Sequence, residues 1–149
     1  MRTDESAWSP ETTKGAEFEV EDMTGVLIVE DQFLVALDLE HIVASAGYPV
    51  VGIATARSEI EALAVPPKIA FVDINLRDGP TGVEIARALS ERFGTRIIFV
   101  TANPAQIDQP PPTAIGFIQK PFSPTTIESS IGYALGAASA PPRGLEVFG

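Results

Sequence analysis

The amino-acid sequence predicts a doubly wound α/β domain built on a parallel sheet, and three observations carry that prediction. From residue 25 onward, short apolar runs alternate with longer amphipathic stretches, giving five βα-like units. The runs are continuous rather than alternating with polar residues, as expected of strands covered by helices on both faces. Acids, a hydroxyl and an ammonium group follow directly after those runs, at the strand ends where open parallel sheets hold their ligands.

Val26 to Val29 reads as the first strand, ending in Glu30-Asp31. A helix follows from about Gln32 to Ala46 and is stopped by Gly47. Val35, Leu39, Ile42 and Ala46 form its inward stripe. Val50 to Ala54 gives strand two, and a short helix from about Ala56 to Ala64 is closed by Pro66 and Pro67. Ile69 to Val72 is strand three, ending at Asp73. After the turn Asp78-Gly79-Pro80, Thr81 is placed to cap a helix running from Gly82 to about Phe93, with Glu84 completing a capping box and Gly94 ending it. Arg96 to Val100 gives strand four and Phe117 to Gln119 a short strand five. Between them Pro104, Pro110, Pro111 and Pro112 forbid a long regular helix, so one helical turn and a loop are expected. The last helix spans about Pro124 to Leu135, with Ser123 as N-cap, Pro124 at its first position and Ile127, Ile131 and Leu135 on one face.

A chain of 149 residues with 45% hydrophobic residues can bury the core of one ordinary domain. Its expected organisation is an acidic flexible arm at 1–22, a folded domain at 23–137 and a flexible tail at 138–149. The arm holds seven acids against Arg2 and Lys14, half of the net charge of −10. An acidic chain repels phosphate backbones, and no cluster of Lys or Arg with interleaved aromatics offsets this, so direct nucleic-acid binding is not expected. The longest apolar runs are too short for membrane insertion. The absence of cysteine excludes disulfides and thiolate metal sites, and with no secretion signal visible the expected location is cytoplasmic.

Chemistry concentrates on one rim of this sheet. Glu30, Asp31, Asp73, Thr101 and Lys120 follow strands one, three, four and five, so three carboxylates, a hydroxyl and an ammonium share it. Crowded carboxylates resist joint ionisation unless a cation is present. Hard oxygen ligands without His or Cys suit Mg²⁺, or Mn²⁺ in its place. A carboxylate beside such an ion can attack phosphorus, and Asp73 is the central one. Lys120 then offers a point charge to one phosphoryl oxygen and Thr101 a hydrogen bond to another.

The segments Val26-Leu27-Ile28-Val29-Glu30-Asp31, Phe71-Val72-Asp73, Phe99-Val100-Thr101-Ala102 and Lys120-Pro121-Phe122 closely resemble the four signature segments of response-regulator receiver domains. The resemblance covers about residues 25–136, and its strength lies in their order and spacing. It implies a flavodoxin-like (CheY-like) fold with a five-stranded parallel sheet in the order 2-1-3-4-5. It also implies Asp73 as phosphoacceptor, Glu30 and Asp31 as metal carboxylates, and the Asn75 backbone carbonyl as a further metal ligand. Thr101 and Lys120 would read the phosphoryl group, and Phe117 would be the aromatic that reports it. The implied donor is a sensor histidine kinase or a histidine phosphotransfer protein, and a protein effector would bind through segment 103–135. The run Phe33 to Glu40 and the proline-broken segment after Thr101 resemble the alphaproteobacterial general-stress-response receivers of the PhyR-like subgroup, here in single-domain form with a degraded fourth helix. The chain departs from that subgroup in having Ala102-Asn103 where a glycine often follows the threonine.

Other classes of function are open to these residues. The chain could serve as a phosphate sink for a shared kinase, or as a pseudo-receiver that binds without phosphorylation. A haloacid-dehalogenase-like phosphatase would need a second acid two residues after the nucleophile, where Asn75 stands. Any one of the acids could be a solvated loop end, Phe117 on periodicity alone is a core residue, and lone His41 has no second histidine with which to share a metal. Leu34 and Leu37 exceed what one inward stripe needs and form a candidate docking patch for a kinase helix.

Overall fold

A computed structural model describes residues 24–149; the expected acidic arm at 1–22 lies outside the described residues. The strands are β1 (Val26–Val29), β2 (Val50–Ala54), β3 (Ile69–Val72), β4 (Arg96–Thr101), β5 (Ala114–Gln119) and β6 (Leu145–Val147). Among the described residues three α-helices, α1 (Phe33–Ser45), α2 (Gly82–Phe93) and α3 (Pro124–Ala134), and two 3₁₀ segments accompany them. The sheet order is β2-β1-β3-β4-β5-β6, parallel throughout its first five members and antiparallel between β5 and β6. The flavodoxin-like order 2-1-3-4-5 is therefore present, extended by one edge strand.

Buried strand residues divide by period two between two cores. Val26, Ile28, Ile69, Phe71, Ile98, Val100 and Ile118 pack with Leu39 and Val43 of α1 and Ile127 and Ile131 of α3. On the other face Leu27, Val29, Ala70, Val72, Ile97 and Phe99 pack with Ile85, Ala86 and Leu89 of α2. Both faces of β1 and β3 are thereby shut off from water, which is why their sequences read as unbroken apolar runs.

Several local expectations are corrected. The buried face of α1 is Ala36, Leu39, Ile42 and Val43, while Val35 packs at its margin and Ala46 is the half-buried residue beyond the last turn. The stripe is rotated by about one residue because helical neighbours at three and four positions both reach the sheet. The expected second helix is a 3₁₀ segment of six residues, Arg57–Ala62, that buries Ile60 alone. The Thr81 side chain does not cap α2, since its backbone is already helical (φ −92°, ψ −2°) rather than extended as a capping residue's is; its hydroxyl donates to Asp78 Oδ1 at 2.7 Å, and Glu84 lies 3.7 Å from Arg57 rather than folding back. Strand five starts at Ala114, three residues before the expected Phe117. The region 138–149, expected as a flexible tail, contains β6, and Leu145 buries its side chain against α3.

Other expectations agree with the structure. Gly94 ends α2 at φ +67°, a conformation that a Cβ would strain. Ser123 Oγ accepts the Thr126 N–H at 3.1 Å and caps α3. The fourth crossover is a single 3₁₀ turn, Pro104–Gln106. Among the described residues no helix is long and apolar enough to cross a membrane.

Candidate phosphoacceptor site

Strand register builds the site. Val72 lies opposite Val29 on one side and Phe99 on the other, so the residues that follow β1 and β3, Glu30 and Asp73, emerge side by side. Thr101 is opposite Gln119, and the Lys120 N–H donates to the Thr101 carbonyl at 2.9 Å, which brings the end of β5 beside the end of β4. All of these side chains leave the carboxyl edge of the sheet.

Glu30 is 1% exposed and Asp73 7%, so both carboxylates are largely withdrawn from water. Lys120 compensates them directly: its Nζ donates to Glu30 Oε1 at 2.8 Å and to Asp73 Oδ2 at 3.0 Å. The remaining oxygens are also bonded, Asp73 Oδ1 to the Ile74 N–H at 2.7 Å and Glu30 Oε2 to the Gln32 N–H at 3.1 Å. Burial nevertheless dominates at Glu30 and holds its carboxyl above the ordinary range despite the Lys120 hydrogen bond. At Lys120 burial is again the largest single influence and pulls downward, but the hydrogen bonds and charges of Glu30 and Asp73 together outweigh it, so its ammonium is held above its ordinary value.

Asp31 stands at the same rim, half-buried, and Glu30, Asp31 and Asp73 each offer a carboxylate oxygen within 4.8 Å of the others. This donor set fits a divalent cation of the hard, oxygen-seeking kind. A carboxylate that burial alone makes costly to ionise, held beside two more, is a place where added positive charge is favourable.

Thr101 is fully buried, and its hydroxyl accepts the Asn103 N–H at 3.0 Å. Phe117 is half-buried and faces the α2 side of the sheet, its ring 6.1 Å from that of Phe148. The Asn75 side chain is turned to the fourth crossover, with Nδ2 donating to Gln106 Oε1 at 2.8 Å. Leu34 and Leu37 are not drawn into the core: they are 77% and 41% exposed on α1, with Phe33 beside them at 72%. His41 is exposed and stands apart from the rim.

Two supporting residues escape the sequence reading. A Cβ on Gly82 would lie 2.0 Å from the Asp73 carbonyl oxygen and 2.5 Å from Ile74 Cα, so only glycine lets α2 start this close to the backbone carrying Asp73. The Gly82 N–H donates to the Ile74 carbonyl at 2.9 Å and fixes that approach. A glycine at the first position of a helix, after a turn that already contains Gly79, is the signal that could have found it. Gln106 is the second, and nothing in its sequence neighbourhood points to Asn75.

Residues 26–132 match the response regulator receiver domain family. The chain is 35% identical over 127 residues to the phyllosphere-induced regulator PhyR of Methylorubrum extorquens, a match covering 81% of this chain and 47% of that protein. It thus spans about half the length of that curated relative. Among solved structures, the PhyR response regulator REC domain of Erythrobacter litoralis superposes with a TM-score of 0.67 at 33% identity, covering 80% of this chain and 95% of that one. The anti-anti-sigma factor PhyR of Bartonella quintana gives 0.67 at 31% identity, over 83% of this chain and 53% of that one.

Proposed function

Because the chain belongs to the response regulator receiver domain family, we propose that it is a phosphorelay switch that accepts a phosphoryl group on Asp73 from a histidine kinase or a histidine phosphotransfer protein in the cytoplasm. The observation that carries this reading is the Lys120 ammonium shared between Glu30 and Asp73 at 2.8 and 3.0 Å, beside a third carboxylate. The pairing holds the Asp73 carboxylate in place at the carboxyl edge of the sheet.

Glu30, Asp31 and Asp73, with the Asn75 backbone carbonyl, would hold Mg²⁺ or Mn²⁺. When bound, such an ion supplies neutralisation of the charge spread over the transferring phosphoryl oxygens. In the transfer itself an Asp73 carboxylate oxygen attacks phosphorus; the O–P bond forms as the P–N bond to the donor histidine breaks, and the imidazole leaves with the electron pair. Lys120 then has a phosphoryl oxygen to pair with, and the Thr101 hydroxyl, which accepts from the Asn103 N–H, can donate its own hydrogen to another. Each charge-assisted bond contributes about 1.5–3 kcal/mol. Several together reach the roughly 5.5 kcal/mol that moves a two-state equilibrium from 1:99 to 99:1. Displacement of Thr101 alters the surroundings of Phe117 and, through it, the surface of segment 103–135, where an effector would bind.

The donor's docking site is the exposed apolar end of α1. Leu34 and Leu37 lie near a groove of about 380 Å³ lined by Val35, Asp38, Lys120, Pro121 and Phe122. A partner helix seated there would bring its phosphohistidine to the rim.

Radiolabelled acetyl phosphate tests the reaction. Label should appear on the wild type only with Mg²⁺ present and should be absent from Asp73→Asn; equal labelling of the two refutes Asp73 as acceptor. Leu34→Glu combined with Leu37→Glu should slow transfer from a kinase at least tenfold while acetyl phosphate labelling persists. Unchanged transfer would remove the docking assignment.

A further inference from the structure

The fourth crossover leaves the α2 side of β4 and β5 short of cover. Its single 3₁₀ turn buries no residue; of the loop that follows, Ile107 packs at the margin of this core and Pro111 is buried. The gap is filled from far along the chain. β6 runs antiparallel along the edge of β5, with Ile118 opposite Leu145, Phe117 opposite Glu146 and Gly116 opposite Val147. Its extension carries Phe148 onto the open face, where the ring lies 6.1 Å from Phe117 and 6.3 Å from Phe99. The Phe148 N–H donates to the Ile115 carbonyl at 3.0 Å.

The seat is shaped for this segment. A Cβ on Gly116 would lie 2.1 Å from the Glu146 carbonyl oxygen, so β5 is notched where β6 crosses it. Gly144 takes φ +97° with Thr126 close beside it, and the Thr126 hydroxyl donates to the Arg143 carbonyl at 3.2 Å, tying the approach of β6 to the first turn of α3. Leu145 is 5% exposed in the opposite core. Yet the strand is only three residues long, and Val147 is 41% exposed. Such an element is seated specifically but held by few contacts.

We propose that β6 with Phe148 is a latch on the switch aromatic: it stabilises the arrangement of Phe117 found here and is released when Asp73 is phosphorylated. This rests on the receiver reading given above. The Phe117 ring lies against Phe148, the residue that follows β6, so a change in its orientation removes the aromatic support on which the end of this short strand rests. Release uncovers the edge of β5 and the faces of Phe99 and Phe117, so the signal becomes an open sheet edge beside an apolar patch. Linkage makes the coupling reciprocal: a latch that favours the unphosphorylated arrangement must oppose phosphoryl binding by the same factor.

The test uses the full chain with Mg²⁺ and beryllofluoride, a phosphoryl mimic. Hydrogen exchange at the Phe148 amide should accelerate about fivefold or more on binding, the lower end of ordinary coupling. Phe148→Ala, and independently Glu146→Pro, should bind the mimic about fivefold more tightly or better. The second variant removes a strand N–H while leaving the aromatic cover in place, and the wild-type exchange result stands should either variant fail to fold. Mimic binding that depends on Asp73 but leaves Phe148 exchange and affinity unchanged would make β6 a static edge cap and overturn the latch alone. Failure of the mimic to bind at all would overturn the receiver reading, and the latch with it.

Discussion

Between β3 and β4 the chain lays down a helix of 12 residues that turns Ile85, Ala86 and Leu89 onto the sheet; between β4 and β5 it makes one 3₁₀ turn with no buried residue. The first crossover carries its own cover and presses Gly82 against the backbone of Asp73. The second borrows its cover from Phe148, which arrives along the edge of β5. A locally encoded cover holds the carboxylate rim in place, because the helix cannot leave without opening a core. A borrowed cover can be exchanged, which places the capacity to switch on the side of the sheet with the weaker hold. Asp73, the proposed phosphoacceptor, lies on the rigid side, and Phe117, the proposed aromatic reporter, on the exchangeable one.

Truncating the two covers gives the largest expected effect. Leu89→Ala removes a fully buried side chain and should cost about 2–5 kcal/mol in urea unfolding. Phe148→Ala removes a half-buried ring at the margin and should cost less, about 1–2 kcal/mol. Equal losses would erase the contrast between the two crossovers.

Gly82 and Gly132 sharpen it within the helices. Gly82→Ala forces a methyl group into the Asp73 carbonyl and should cost about 1–3 kcal/mol through overpacking. Since the displaced backbone carries Asp73, the proposed phosphoacceptor, beryllofluoride affinity should fall as well. Gly132, inside α3, has nothing within 4 Å of the place a Cβ would take, and Gly132→Ala should stabilise by about 0.8–1 kcal/mol with affinity unchanged. A tolerated Gly82→Ala would mean that α2 does not position Asp73.

The sequence exposes the rigid side far better than the exchangeable one. β1 and β3 are buried on both faces, so each reads as four apolar residues ending in an acid, and the rim follows from where those acids stand. Prolines announce the broken fourth crossover for an equally local reason. β6 is hidden because Leu145-Glu146-Val147 is short and follows Pro141-Pro142, so what makes it a strand is the edge of β5, not its own pattern. Strand five reads too short because Gly116, the notch that admits β6, looks like a strand breaker. Thr81 fails as a cap because its backbone is already helical at φ −92°, ψ −2°, a conformation that residue spacing alone does not reveal.

At the rim itself Glu30 makes the contrast pH-dependent. Burial raises its pKa in the folded state. A group raised in this way gives its full contribution to stability below its unfolded pKa and loses it as pH rises through the folded value. Glu30→Gln abolishes that titration, so the stability of wild type relative to the variant should increase as pH falls from neutrality through the raised pKa of Glu30. Urea midpoints of both proteins across that range measure it. A difference that is flat, or that moves the other way, would mean that the Lys120 bridge and not burial governs Glu30.

The smallest effect is expected where the two crossovers touch. Gln106 belongs to the exchangeable fourth crossover, yet its side chain accepts the Asn75 amide at 2.8 Å, two residues beyond Asp73. Both side chains are exposed, so Gln106→Ala should change stability by no more than about 0.5 kcal/mol. Its consequence is kinetic. Freed from Gln106, the Asn75 amide can reach toward the phosphoryl group and the water that attacks it, so the lifetime of phospho-Asp73 should change by a few fold while the rate of labelling by acetyl phosphate does not. Decay of radiolabel after removal of the donor measures this. An unchanged lifetime would confine Asn75 to its backbone role and leave Phe117 as the one side chain through which the exchangeable side senses the rim.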